Sequence, residues 1–276
     1  MNTLPRSLDS SQVSHSSAFQ AVLSPEALRH DVPAVFAPSA HERLSSSYTF
    51  VPTARIIDAL GQAGFQPVEA RQTRSRSRSP VHARHMIRLR RRLEHVALAD
   101  SVPELVLLNS HDGTSAYVLR CGIYRAVCTN GLVVSVGVFP ALRVLHRGDV
   151  VDDLVRGALE MSERFDILAT IVERMERTIL DEGQRLEFAA QALAVRYPDD
   201  RPGAMTPAQL LAARRPEDLG NDLWRTFNAI QENLIRGGLV RRSATGRLTR
   251  TRRITGIRED LRVNMALWDL AAARAA

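Results

Sequence analysis

Lysine is missing from this chain of 276 residues, and all 37 of its basic residues are arginine. The absence excludes a Walker-type phosphate-binding loop, which needs a lysine, and it also excludes Schiff-base chemistry, nucleotidyl-lysine ligation and lysine-dependent nuclease sites. We therefore expect no ATP-driven activity. A G+C-rich coding genome would produce the same bias without functional meaning. Arginine nevertheless remains an excellent phosphate ligand, because its guanidinium is planar, permanently charged and bidentate.

Aromatic residues make up only 5% of the chain, which leaves few platforms on which nucleic-acid bases could stack. The two cysteines, Cys121 and Cys128, fall in apolar runs and lack the spacing of a metal-ligand pair, so we expect reduced thiols and a cytoplasmic location. No apolar run approaches the ~20 residues of a membrane span, and no signal peptide is recognisable. We expect no membrane contact and no cofactor.

The remaining composition is that of a globular protein, with 45% hydrophobic residues, 24% charged residues and a net charge of +7. The patterns along the chain predict an α+β fold in three segments. Residues 1–42 are rich in serine and proline and are predicted to form a disordered or extended arm, with one short turn of helix at residues 25–29. Residues 43–148 are predicted to form a β-rich sheet domain, and residues 149–276 a helical domain.

A twisted antiparallel sheet is predicted between Leu105 and Gly148, where the β-forming runs are densest. The Asp112-Gly113 and Asn130-Gly131 pairs supply the positive φ angles that tight hairpins need. Upstream, a short strand is predicted at residues 48–51, followed by a helix with Thr53 as its N-cap. The predicted order is therefore β-α-β-β-β.

One basic hairpin is predicted from alternating arginines, and a second basic hairpin or loop is predicted from arginines clustered around a turn glycine. Arg/Ser alternation at residues 71–80 and Arg/apolar alternation at residues 85–94 would put six arginines on one solvent face if the segments pair. These are Arg74, Arg76, Arg78, Arg88, Arg90 and Arg92. Like charges destabilise a bare sheet, so a polyanion is the expected partner; a flexible solvated loop is the alternative. A second patch is predicted around Gly246, with Arg247, Arg250, Arg252 and Arg253.

The period changes to 3.6 after residue 149, which predicts helices that cover the sheet. Residues 149–182 are expected to form one long helix or two with a break, followed by helices at residues 183–196 and 208–213. Asp218 is the predicted N-cap of the next helix, which Gly237-Gly238 ends. The final helix is predicted at residues 260–273.

Several short motifs resemble those of a phage- and plasmid-associated family, known as domain of unknown function nine hundred and thirty-two. They cover nearly the whole chain from about Tyr48 onwards. Further matches are Pro52-Thr53 and the segments 215–218, 228–238 and 264–268. The single residues that carry the resemblance are Asn109, His111, Asp112, Gly113, Arg125, Cys128, Asn130, Gly131, His146, Arg147, Asn228, Gln231 and Asn233. The family name implies no activity. The element order is also similar to that of Rad-fifty-two-type single-strand annealing proteins, which implies strand annealing by a homo-oligomer.

Three functions remain open from the sequence. ATP-independent binding of single-stranded DNA or another nucleic acid, in phage or plasmid recombination, is the preferred one, and it makes an enzyme the less favoured class. A metal-dependent nuclease would use His111, Asp112 and His146, although Asp112 also sits where an Asp-Gly turn needs an aspartate. A counter-defence module would present its arginines to an acidic protein. The amides of Asn228 and Gln231 could bond bases or neighbouring arginines.

Overall fold

The structure is a computed structural model, and it describes residues 22–73, 79–91, 101–125, 130–133, 139–199, 204–243 and 245–275. Its helices are α1 (Pro25–Asp31), α2 (Thr53–Gln62), α3 (Val150–Ser162), α4 (Phe165–Arg177), α5 (Glu182–Arg196), α6 (Ala208–Leu211), α7 (Leu223–Arg236) and α8 (Ile257–Ala272). Its strands are β1 (Phe65–Gln72), β2 (His85–Arg91), β3 (Ser101–Asn109), β4 (Tyr117–Arg125), β5 (Asn130–Val133), β6 (Leu142–Val144), β7 (Val240–Arg242) and β8 (Leu248–Arg250). The predicted α+β class is confirmed.

The main sheet is antiparallel throughout and has the order β1-β2-β3-β4-β5, with β6 also paired to β4. Residues 122–125 of β4 pair with β5, and residues 117–119 pair with β6. One long strand therefore holds two short strands along its edge. The chain between β4 and the helical half accordingly returns to the sheet before α3 begins.

Each face of the sheet is buried. Because strand side chains alternate, Ile87 and Leu107 face the large core that α2 and α3 help to enclose, whereas Met86 and Val106 point the other way. On that second face they pack with Ile257 at the start of α8. The large core contains residues from Leu28 to Ala271, so the two predicted domains share one hydrophobic interior.

The helical half follows the predicted periodicity. The segment 149–182 forms two helices, with α3 ending at Ser162 and α4 beginning at Phe165. Asp181 starts α5 with a capping box in which its carboxylate accepts from the Gln184 backbone. In the described residues no helix is both long and apolar enough to cross a lipid bilayer.

The described part of the predicted arm is folded, and the short helical turn predicted at residues 25–29 is confirmed as α1. Residues 22–42 contain α1 and a short 3-10 helix, Pro33–Phe36, and Leu28, Val32 and Val35 are buried in the large core. Serine and proline, which suggested an extended arm, act here as helix-start residues: Ser24 caps α1, and Pro25 occupies its first position. Residues 1–21 lie outside the described residues.

Three smaller predictions are wrong. Residues 48–51 belong to no strand, although Thr49 donates one backbone hydrogen bond to His146. Thr53 is the first residue of α2 and not its cap, since its side chain makes no capping bond. The cap of α7 is Asp222, which accepts from the Arg225 backbone, whereas Asp218 ends a 3-10 turn and pairs with Arg125.

Candidate nucleic-acid interface and histidine cluster

The first predicted arginine face does not point to solvent where it is described. β1 and β2 do pair, but Arg88 and Arg90 lie on the face that α8 covers. Arg88 is fully buried and forms an ion pair with Glu104, and its Nε lies 3.5 Å from Glu69 Oε2. The prediction that Arg88 is an exposed phosphate ligand is therefore wrong. Arg74, Arg76, Arg78 and Arg92 lie outside the described residues.

Arg88 and Arg90 are neutralised by carboxylates inside the protein, whereas an external polyanion was the predicted partner. The Arg90 Nε lies 3.4 Å from Glu104 Oε2, and its guanidinium stacks 3.6 Å from the centre of the Tyr124 ring. Burial lowers the pKa of the Arg88 guanidinium, but the charges of Glu104 and Glu69 outweigh it and raise the pKa above its ordinary value. Arg88 thus stays charged in an interior ion-pair network.

The second predicted patch is exposed. Arg247, Arg250, Arg252 and Arg253 lie on or directly after the β7–β8 hairpin, and all four are open to solvent. The Arg250 guanidinium donates to the Gly238 carbonyl at 2.8 Å, which holds its stem against the hairpin. Among the described residues we find no carboxylate paired with any of the four. Their charge is therefore available to an external anion.

The two faces of the hairpin differ. Val240 is opposite Arg250, and Arg242 is opposite Leu248, so these four side chains share one face. Val240 is 42% exposed and Leu248 59% exposed. Arg241 lies on the other face, where its guanidinium is 5.5 Å from the centre of the Tyr197 ring. One face thus packs on the body of the protein, and the other presents alternating apolar and cationic groups.

Glycine is required where the hairpin leaves α7. Gly237 has a φ of +66°, and a Cβ there would lie 2.7 Å from the Arg252 backbone carbon. The turn residue Gly246 has a φ of +79°. Both glycines adopt the left-handed region that other residues rarely enter, so the path and position of the hairpin are fixed by the sequence.

A histidine cluster lies beneath the predicted turn at residues 110–114. Thr53 Oγ1 is its hub, with His85 Nε2 at 2.8 Å, His111 Nε2 at 3.1 Å and the Tyr117 hydroxyl at 3.1 Å. Asn109 extends the network: its Nδ2 donates to Thr53 at 3.3 Å, and its Oδ1 accepts from His146 Nε2 at 3.0 Å. These side chains are all buried.

The histidines of this cluster are neutral at pH 7. Burial lowers the pKa of His85 to about 4, and burial together with the neighbouring histidines lowers the pKa of His111 to about 3. Burial also lowers the pKa of His146. Since the Ala83 carbonyl can only accept, His85 Nδ1 carries the proton, and His85 Nε2 accepts from the Thr53 hydroxyl. The cluster joins four chain segments and supplies no cation for phosphate.

The geometry gives no support to metal chemistry at His111, Asp112 and His146. The Asp112 carboxylate accepts from the Thr114 backbone at 3.0 Å and from its hydroxyl at 2.6 Å, as a turn residue does. The rings of His111 and His146 are 6.4 Å apart. Within the described ranges, no three His, Cys, Asp or Glu side chains are grouped to hold a metal. Burial raises the pKa of Cys121 to about 12, which leaves it a poor nucleophile; Cys128 lies outside the described residues.

The amides of α7 have internal partners. Asn228 donates to the Trp224 carbonyl, Gln231 donates to Asn264 Oδ1 at 2.8 Å, and Asn233 donates to the carbonyls of Leu210 and Ala212. These partners of Asn228 and Gln231 are a backbone carbonyl and another amide and not arginines, and both favour a role inside the fold over contacts with bases. Glu232 pairs with Arg215 and Arg236, and Arg125 pairs with Asp218. Asn130 and Gly131 belong to β5, where they pair with Arg125 and Tyr124.

Sequence reasoning missed several residues that complete these networks. His85 and Tyr117 converge on Thr53 and the family motif from other segments, and Asp260 of α8 pairs with Arg71 of β1. One signal was available for His85: the alternation that puts Ile87 and Leu89 in the core also puts His85 there. No local pattern indicates Asp260, because it lies 189 residues after Arg71.

Comparison with known proteins agrees with the family resemblance of the motif residues. The family model described as domain of unknown function (DUF932) matches residues 40–268. The chain is 44% identical over 250 residues to UPF0380 protein YfjQ of Escherichia coli (strain K12), covering 90% of each chain. It is 43% identical over 252 residues to UPF0380 protein YafZ of the same organism, covering 91% of each. No solved structure matches. The chain belongs to the DUF932 family.

Proposed function

We propose that this protein binds single-stranded DNA, without ATP, through the exposed face of the β7–β8 hairpin and the exposed arginines that lie just before and after β8. The observation that carries the proposal is the set of exposed arginines on and after this hairpin, for which we find no carboxylate partner within the described ranges. Elsewhere on the surface, exposed arginines such as Arg156 and Arg225 have an aspartate within hydrogen-bonding distance. The hairpin is thus the described surface best suited to an extended polyanion.

The alternation of groups favours a single strand over a point-like anion. On the exposed face Arg242 belongs to β7 and Arg250 to β8, and the exposed Arg247, Arg252 and Arg253 lie just before and after β8, so several cations are distributed along the hairpin. Val240 and Leu248 lie beside these cations and offer apolar contacts to unpaired bases. No aromatic side chain belongs to β7 or β8, so the bases would be held without being stacked.

A salt series of fluorescence anisotropy with a labelled oligonucleotide tests the proposal. Arg247→Ala, Arg252→Ala and Arg253→Ala are combined, and we expect affinity to fall tenfold or more and the salt slope to decrease by about 0.7 for each phosphate that is no longer neutralised. The matched control combines Arg164→Ala, Arg174→Ala and Arg177→Ala, which are exposed residues at α4 with the same change in charge. Equal effects of the two triple variants, or no binding by the natural protein, would refute the proposal.

Strand annealing by a homo-oligomer in the cytoplasm, in phage or plasmid recombination, is the finer form of the same proposal. Bases that are held but not stacked stay free to pair with a second strand, which is what annealing requires. Light scattering with and without oligonucleotide, alongside the rate at which two complementary strands pair, tests this form. If the protein stays monomeric with oligonucleotide and does not change the rate at which the complementary strands pair, annealing is refuted and only strand binding remains.

A further inference from the structure

A pocket of about 280 Å³ opens beside the histidine cluster and is not used by the proposed hairpin interface. Three segments meet there: the loop before α2, the turn after β3, and the chain that follows β6. The lining side chains that matter are Ser45, Ser47, Tyr48, Arg143, Leu145 and Arg147. His146 forms the floor, where its ring stacks on Tyr48 with centroids 4.3 Å apart.

The charge of this serine–arginine pocket is of one sign. Arg143 and Arg147 are exposed, and we find no carboxylate paired with either in the described part of the chain. None of the described residues that line the pocket is acidic, whereas two other pockets include Asp112, or Asp181 and Glu182. Ser45 and Ser47 add hydroxyl groups 2.8 Å apart. Two guanidiniums with adjacent hydroxyls form a donor set suited to a phosphate.

The apolar part of the pocket suits a nucleotide better than an inorganic ion. Leu145 is 54% exposed at the rim. Tyr48 stacks on His146, and its hydroxyl lies 3.3 Å from His146 Nε2. Burial and the charge of Asp112 raise the pKa of Tyr48, so it stays neutral. The same small volume therefore holds an aromatic pair, an exposed leucine and a cationic rim, which together match a sugar or base joined to a phosphate.

The family motif fixes the wall of this pocket. Gly113 has a φ of +78°, and a Cβ there would lie 2.4 Å from Leu44 Cδ2. The loop also donates from the His41 backbone to the His111 carbonyl at 3.0 Å, and Thr49 donates to the His146 carbonyl at 2.8 Å. Gly113 and the backbone carbonyls of residues 111 and 146 thus hold Ser45, Ser47 and Tyr48 against the arginines.

We infer that the serine–arginine pocket binds the 5′-phosphate of a nucleotide, either free or at the end of a nucleic-acid strand. Arg143 and Arg147 neutralise the phosphate, the serines donate to its oxygens, and Leu145 and the Tyr48 pair contact the attached sugar or base. The inference is independent of the hairpin, because the two surfaces share no residue.

Binding of matched ligands distinguishes the two sources of the phosphate. Calorimetric titration compares dAMP with deoxyadenosine, and anisotropy compares a 5′-phosphorylated oligonucleotide with its 5′-hydroxyl form, both labelled at the 3′ end. We expect the phosphate to improve affinity about tenfold in at least one pair, as charge-assisted bidentate contacts do. A preference with dAMP indicates a free nucleotide, and a preference only with the oligonucleotide indicates a strand end.

Variants separate this pocket from the hairpin. Arg143→Ala with Arg147→Ala should reduce the phosphate preference to about one, while the hairpin triple variant should weaken both oligonucleotides equally and keep the preference. Arg43→Ala, an exposed change on the same loop, is the matched control. Thermal melting verifies that the exposed substitutions leave the fold intact. No phosphate preference in either pair, or a preference that persists in the double variant, overturns the inference.

Discussion

Two β-ribbons of this protein are rich in arginine, and they use these arginines in opposite ways. In β2, Arg88 and Arg90 lie under α8 and meet the carboxylate of Glu104 inside the protein. In the β7–β8 hairpin, Arg242 and Arg250 lie on a face that no helix covers and that no carboxylate pairs with in the described ranges. Alternation alone therefore fixes only that the cations share a face. The position of the carboxylates decides whether that face stabilises the fold or is available to bind an anion.

The comparison has a simple energetic form. An interior arginine should affect the free energy of unfolding and leave anion binding unchanged, whereas a hairpin arginine should do the reverse. Removing one partner of a buried pair leaves an uncompensated charge. Removing an exposed cation leaves only a slightly less charged surface.

The largest effect is expected from Arg88→Ala. Glu104 would be left buried with only the weaker Arg90 contact, and we expect the free energy of unfolding to fall by about 3–5 kcal/mol, measured by denaturant titration. Arg156→Ala, at a pair whose arginine side chain is 67% exposed, should cost less than about 1 kcal/mol. Combining Arg88→Met with Glu104→Leu should recover much of the stability. An effect of Arg88→Ala no greater than that of Arg156→Ala would show that the two ribbons do not differ.

An intermediate effect is expected from acid. The pKa values of His85 and His111, about 4 and about 3, lie below their ordinary value of 6.5, so the unfolded chain binds more protons between these limits. The contribution of the two neutral histidines to the free energy of unfolding is therefore fully present above pH 6.5. It falls as the pH decreases, by up to about 1.4 kcal/mol per pH unit for each histidine. Denaturant unfolding at pH 7, 6 and 5 measures the slope.

The control for this slope is His30, whose side chain is 89% exposed. His30→Asn removes an exposed histidine and leaves the buried cluster intact, so the slope that the cluster produces should persist in this variant. If the free energy of unfolding of the natural protein does not change with pH in this range, the histidine cluster is not both neutral and buried. The contrast between interior residues and hairpin residues would then rest on the arginines alone.

The smallest effect on stability is expected from Val240→Ser with Leu248→Ser. Both side chains are already exposed, so the free energy of unfolding should change by less than about 0.5 kcal/mol. Oligonucleotide affinity should fall at every salt concentration while the salt slope stays the same, since no cation is removed. A changed salt slope, or a decrease in the free energy of unfolding above about 1 kcal/mol, would show that these side chains support the fold and do not act as apolar contacts to the bases.

The sequence was sufficient for features that are local or periodic. The strand β2, the helix pair α3 and α4, and the turn at Gly246 follow from periods of two and 3.6 and from a turn glycine. The segment predicted to pair with β2 was 71–80, whereas the strand that pairs with it is β1, at residues 65–72. The Asp-Gly turn after β3 was also predicted, with the aspartate in the role that such a turn gives it.

Features that depend on distant parts of the chain were not predictable. Apolar and polar residues alternate along β2 in the same way whether its polar face is covered by a helix or exposed to water. The helix that covers this face, α8, lies near the other end of the sequence. The local sequence does not distinguish Asp218 from Asp222 as the N-cap of α7. Asp222 is the cap because Asp218 forms a buried ion pair with Arg125, a residue distant in the sequence. The pocket at Ser45 and Arg147 needed three separated segments to be brought together.

The covering of the sheet by α8 has a consequence for synthesis. Arg71 leaves the ribosome 189 residues before its partner Asp260. Until α8 has been synthesised, the face of the sheet that it covers is therefore exposed to water, and the guanidinium of Arg71 is hydrated. Contacts of such long sequence separation slow folding and favour its completion only after most of the chain has emerged. A ribosome stalled before Ile257 would hold a chain with Met86 and Val106 uncovered, which is the kind of species that chaperones bind.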